Sequence, residues 1–299
     1  MDELMTDRAL AATARELAGR AGYDDGFLGV PVRVPALHGV KTILLNYTHF
    51  SVLMRLDKRL AAVTALGMDG KKLMDLDRAG SQWRLDPRLP EDQQTGERVY
   101  AHNDIDRGHL VRRASAVWGD TRAEAEEANE DTFHYTNAAP QAAKFNQGMQ
   151  LWLGLESYLQ ENAADNSRRI VVFTGPIFAA TDPVYRGVDI PLKFFKVAAF
   201  IQAGRLAATG YVVDQTPSLA DLPDVPRPGI TDEAPPLGPF RTFQAPIRDI
   251  AALTGLNLDQ LVAVDRMPIA TALPSARVTE TWRELHSPGD LDLDFDLGE

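Results

Sequence analysis

Apolar positions change period several times along this chain, and each change marks an element. The opening residues, MDELMTDRALAATARELAGRAGYDDG, space Ala, Leu and Arg as an amphipathic helix does. After the proline-punctuated GVPVRVPALHG, the stretch KTILLNYTHFSVLMRL alternates apolar and polar residues partly with period two, which predicts a hairpin. The runs RRIVVFTGPIF, FFKVAAFI and RLAATGYVVDQ are short, β-branched or aromatic, and bounded by Gly, Pro or Asp. They read as three more strands of the same sheet. Between them, from Gln141 to Gln160, Phe145, Met149, Trp152, Leu155 and Leu159 recur at helical spacing and predict a central helix. The proline-loaded stretch 216–239 reads as a surface excursion, because a helix, APIRDIAALTG, follows it and ends on Gly255.

At 299 residues with 44% hydrophobic content, the chain can build a substantial core. No apolar run approaches the ~18 residues of a membrane span. Cysteine is absent, so disulfides and thiolate metal sites are excluded, and His, Asp, Glu and Asn remain as metal ligands. The N-terminus lacks the basic start and apolar stretch of a secretory signal, making a cytoplasmic location the default expectation. A net charge of -11 argues against a general polyanion binder. The charge is unevenly placed: GDLDLDFDLGE and EAEEANED carry much of the negative excess, whereas residues 54–88 hold several Lys and Arg and leave a local basic groove open.

Several polar residues suited to catalysis fall within fifty positions: His109 in DRGH, Asn137 and Gln141 in NAAPQ, Asn146 in FNQ and Glu156 in WLGLE. Singly, each has an ordinary structural explanation. In this order, with DTFHYTNAAPQ at 131–141 and FTGPIF at 173–178, they resemble the DNA/RNA non-specific endonuclease family, a group of ββα-metal nucleases. The resemblance runs from about Tyr47 to Leu261.

It implies an α+β fold, a central mostly antiparallel sheet flanked by helices and containing a ββα-metal finger. Residues 1–40 would be an N-terminal helix and lead-in, 41–286 the nuclease domain and 287–299 an acidic tail. It also implies a Mg²⁺ cofactor (Mn²⁺ as substitute), DNA and RNA as substrates, cleavage to 5′-phosphate ends, and a possible homodimer. His109 would be the general base, kept neutral by the metal and by Arg107. Asn146 would hold the ion through its amide oxygen, with water and phosphate completing an octahedron. Glu156 would orient metal-bound water or serve as a ligand, although it follows Asn146 by ten residues. That is two more than in endonuclease G-like members, a turn of ~200° along a regular helix. An N-cap for Asn146 and a solvent-facing carboxylate for Glu156 are the structural alternatives.

The cation facing the phosphate would be Arg78 by motif position, with Arg84 also eligible; Arg107 would buttress the site or touch phosphate. Asn137 and Gln141 would fix backbone and water near the ion, or cap polar loops. Arg84, Arg112, Arg113, Lys193 and Lys196 are candidates for the nucleic-acid backbone or for solvated surface charge. His38, His49, His102, His134 and His286 read as structural. Two other functions stay open: a nucleic-acid-binding protein that has lost turnover, and an enzyme acting on a small-nucleotide phosphodiester. No GxxxxGK[ST], HExxH or GxSxG motif is present.

Overall fold

Long strands that are buried on both sides dominate the molecule. The computed structural model describes residues 11–77, 82–142, 163, 168–217, 241–267 and 282–286. In chain order the strands are β1 (Thr42–Asn46), β2 (Phe50–Arg55), β3 (Leu60–Asp69), β4 (Ile105–His109), β5 (Ala138–Ala142), β6 (Arg169–Ile177), β7 (Val184–Tyr185), β8 (Val188–Asp189), β9 (Lys193–Gln202), β10 (Arg205–Asp214), β11 (Arg241–Gln244) and β12 (Arg283–Leu285). The helices are α1 (11–18), α2 (Glu97–Tyr100), α3 (Arg113–Ala116), α4 (Arg122–Asp131), α5 (Ile247–Thr254) and α6 (Asp259–Val262). No described helix is long and apolar enough to cross a membrane.

Eight strands form one sheet in the order β1-β2-β3-β6-β9-β10-β11-β12, every neighbouring pair antiparallel. Successive side chains of a strand leave opposite faces, so the sheet separates two cores. Ile170, Val172, Phe194, Ala198 and Phe200 pack on one face with Leu110, Val111 and Ala139. Val171, Phe173, Phe195, Val197 and Ala199 pack on the other with α5 and with Tyr23, Phe27 and Val32 of the lead-in. The lead-in therefore shares the core of the main sheet. Helix α5 stops at Gly255, whose φ of 72° is the left-handed conformation that ends many helices.

The α+β architecture and the antiparallel sheet match expectation, and β1, β2, β6, β9, β10 and α5 lie where the pattern predicts them. One expected boundary is corrected. The central helix was to begin at Gln141, but β5 continues through Ala142, because the segment pairs with β4 along its whole length. The rest of the expected helix, the proline-rich excursion beyond Pro217 and the acidic tail lie outside the described residues.

Candidate active site

The DRGH run forms most of β4, which with β5 makes a separate two-stranded ribbon on the first face of the sheet. Its register sets Asp106 opposite Gln141, Arg107 opposite Pro140, Gly108 opposite Ala139 and His109 opposite Ala138. The pleat places Arg107 and His109 on one side of the ribbon and Asp106 and Gly108 on the other. Gln141 lies across Gly108 so closely that a Cβ there would sit 2.1 Å from Gln141 Cδ and 2.2 Å from Oε1. The glycine of the motif makes room for that side chain.

Asn137, fully buried, fixes the chain directly after His109. Its carbonyl accepts from Leu110 N at 2.9 Å and its Oδ1 accepts from Val111 N at 2.8 Å. Its Nδ2 donates to Val111 O at 3.1 Å and Thr132 O at 3.0 Å. These bonds hold the His109 backbone in place, so the contribution of Asn137 to the site runs through the main chain.

The half-buried His109 imidazole meets two aromatic rings. The Trp83 ring centroid is 4.6 Å away at an interplanar angle of 47°, and the Phe133 centroid 5.1 Å away at 88°. Trp83 also packs on Phe133 at 5.5 Å and on Tyr135 at 5.7 Å. Two backbone bonds hold the segments together: Arg84 N donates to Phe133 O at 3.0 Å, and Tyr135 N to Arg84 O at 2.9 Å.

The Arg84 side chain, a candidate for phosphate or groove, is turned to protein partners. It donates to Glu130 Oε2 at 3.2 Å, Glu130 O at 3.0 Å and His134 Nε2 at 3.2 Å. His134 is fully buried, and its Nδ1 donates to Asp131 O at 2.9 Å while Nε2 accepts from Arg84. Burial pushes its pKa below the ordinary histidine value, and the Arg84 charge adds to this. It has the structural role expected of it.

Arg107 donates to Glu97 Oε2, which also accepts from the Tyr135 hydroxyl. The guanidinium lies over the Tyr100 ring, 5.5 Å from its centroid. Hydrogen bonds from Tyr135 and Arg107 hold the Glu97 carboxyl below its usual range. Arg107 thus lies on the same side of the ribbon as His109, with its charge matched by a carboxylate.

Lys196, expected as a groove-lining or surface charge, is instead 3% exposed. Even-numbered positions of β9 face the ribbon, and Lys196 lines one small cavity with Arg112, Thr174, Leu110 and Val111. Arg113 donates to Leu76 O at 2.9 Å and Asn129 Oδ1 at 3.0 Å, and Lys193 lies 3.6 Å from Asp214. Both bind within the fold.

Arg78, Asn146 and Glu156 lie outside the described residues, so the structure unites His109, Arg107, Asn137 and Gln141 of the expected set. Among the described residues no three His, Asp or Glu side chains are placed to hold a metal ion. Sequence reasoning did not find Trp83 and Phe133 as the rings on His109, nor Glu97 as the partner of Arg107 and Tyr135. Phe133 and Tyr135 sit inside the DTFHYTN motif, but adjacency in a motif does not say which rings meet.

This ribbon and sheet belong to a known lineage. The chain is a member of the DNA/RNA non-specific endonuclease family, which it matches over residues 33–265. It is 38% identical over 276 residues to "Uncharacterized protein y4fB" of Sinorhizobium fredii (strain NBRC 101917 / NGR234), covering 83% of this chain and 40% of that protein. It is 29% identical over 195 residues to mitochondrial endonuclease G of Homo sapiens, covering 61% and 57%. To nuclease C1 of Cunninghamella echinulata var. echinulata it is 24% identical over 208 residues, covering 66% and 71%. The chain thus spans about half the length of the first two relatives. A chain in the crystal structure of the EndoG/EndoGI complex shares the fold, with a TM-score of 0.52 at 17% identity, over 71% of this chain and 84% of that one.

Proposed function

We propose that this chain is a metal-dependent nuclease that hydrolyses phosphodiester bonds of DNA and RNA with little sequence preference and leaves 5′-phosphate ends. The observation that carries this reading is the setting of His109, which ends β4 beside Arg107, gripped by aromatic rings and by the Asn137 backbone clamp. His109 takes the proton of the attacking water, a task suited to an imidazole in its neutral form. Arg107 buttresses the site or touches phosphate. Asn137 and Gln141 act by fixing the ribbon.

A single Mg²⁺ (or Mn²⁺) would be held by Asn146, with Glu156 orienting its water or serving as a ligand, as the family resemblance implies. When bound, the ion polarises the phosphate and acidifies water near the leaving oxygen. Of the two arginines eligible to face the phosphate, Arg78 is the better candidate, because Arg84 is committed to Glu130 and His134.

A second reading, a nucleic-acid-binding protein with weakened turnover, is favoured by the pairing of Arg84 with Glu130 and of Arg107 with Glu97. These pairs reduce the positive charge offered to a polyanion. One experiment separates the two. Plasmid DNA and RNA are incubated with wild type and His109→Ala, in Mg²⁺ and in EDTA. The nuclease reading expects cleavage only by wild type with metal, whereas binding without cleavage by either protein supports the second.

A further inference from the structure

We infer that Trp83 is a positioning residue for the imidazole of His109, setting the ring's rotation and therefore whether a nitrogen or a ring carbon faces the water. This rests on the reading of His109 as the base. The backbone on both sides of His109 is fixed by the ribbon and by Asn137, but those bonds leave the side-chain torsions undetermined. The outer torsion of a histidine is broad and roughly two-fold, so an unrestrained ring can turn over and put a ring carbon where a nitrogen stood.

Two rings at different angles remove that freedom: Trp83 lies 4.6 Å away at 47° and Phe133 5.1 Å away nearly edge-on at 88°. Trp83 is itself held on three counts. It packs on Phe133 and Tyr135, and the next residue, Arg84, is tied by main-chain bonds to Phe133 and Tyr135 and by its side chain to Glu130. Tyr135 in turn stacks on Tyr100 at 5.9 Å and 13°. A continuous row of rings thus connects the base to the body of the protein, and Trp83 is its half-buried member next to the imidazole.

The test uses full-length wild type, Trp83→Phe, Trp83→Leu and His109→Ala, with DNA cleavage followed in Mg²⁺ and the His109 ring protons followed by NMR. In wild type those protons should be shifted upfield by the Trp83 ring and show cross-relaxation with it. Trp83→Leu, which keeps an apolar side chain without a ring, should lose the shift. Its kcat should fall by about tenfold or more, while KM stays within about twofold, as expected when geometry at the reacting atoms is disturbed and ground-state binding is not. Trp83→Phe should restore most of kcat and part of the shift.

Wild-type His109 protons without an upfield shift would overturn the inference, and no variant has to fold for that result. So would a folded Trp83→Leu protein with unchanged kcat. Cleavage by His109→Ala at the wild-type rate would sink the base assignment instead, which keeps the two failures distinct.

Discussion

Gly108 is fixed by what crosses it. An alanine there would place its Cβ within 2.5 Å of three side-chain atoms of Gln141, so one of the two must move. Gly108→Ala should cost about 1 to 3 kcal/mol in chemical denaturation, the usual penalty of overpacking. Removing the obstacle in Gly108→Ala/Gln141→Ala should recover part of it; a double variant as weak as the sum of the singles would refute the steric account. Asn137 acts differently. Asn137→Ala leaves the buried Val111 N–H without its acceptor, at about 1 to 3 kcal/mol. Cleavage by that variant should fall along with its melting temperature, since the same bonds hold His109. The sequence motif named Gly108, His109, Asn137 and Gln141 together, yet was silent on the contact between glycine and glutamine, which depends on the register of two strands.

At the scale of elements, legibility followed the chemistry of each segment. Strands β6 and β9 are rich in Val, Phe and Ile, β10 carries Tyr-Val-Val, and all three end at turn residues, so they could be read directly. Strand β3, LAAVTALGMD, was not read, because all ten residues are buried and a strand covered on both faces loses its alternation. Strands β4 and β5 escaped for the opposite reason. IDRGH is polar, and Pro140 in AAPQA argues against a strand interior, which a ribbon paired on one side tolerates.

The joint between hairpin and ribbon was equally hidden, being made by residues 47, 86, 88 and 136. The Tyr47 hydroxyl donates to Asp86 and lies 2.6 Å from Thr136 Oγ1, while Arg88 grips Asp86 at 2.6 Å and sits over the Tyr47 ring. Burial alone would raise the Asp86 pKa, but hydrogen bonds from Arg88 and Tyr47 hold it below the usual range. Arg88→Ala should therefore cost about 3 to 5 kcal/mol by stranding a buried charge. Tyr47→Phe should cost about 1 to 3 kcal/mol. Equal losses, measured by denaturant midpoint, would contradict this ranking.

For the whole molecule, acid is the expected weakness. Burial lowers the pKa of His134, and burial likewise lowers that of His49, outweighing the hydrogen bond to Trp118 and the nearby Glu124. Below about pH 6.5 the unfolded chain takes up protons that the folded chain refuses, so stability falls as pH drops from there. Each such group contributes a slope of about 1.4 kcal/mol per pH unit until its folded-state pKa is reached. Thermal melts between pH 7.5 and 5 should show the decline, and His134→Gln should flatten it; a melting temperature indifferent to pH over that range would count against it. If the chain is the nuclease proposed, its net charge of -11 leaves nucleic-acid binding to a few local cations, and cleavage should weaken sharply with added salt.

The ribbon that bears His109 exchanges no strand hydrogen bonds with the eight-stranded sheet. Two strands alone are marginal in water, so this pair depends on the core beneath it and on the Asn137 and Gln215 side chains that tie it down. Its amides should accordingly trade hydrogen for deuterium well before those of β6 and β9, and the protein should forfeit its chemistry under mild stress while its main scaffold still stands.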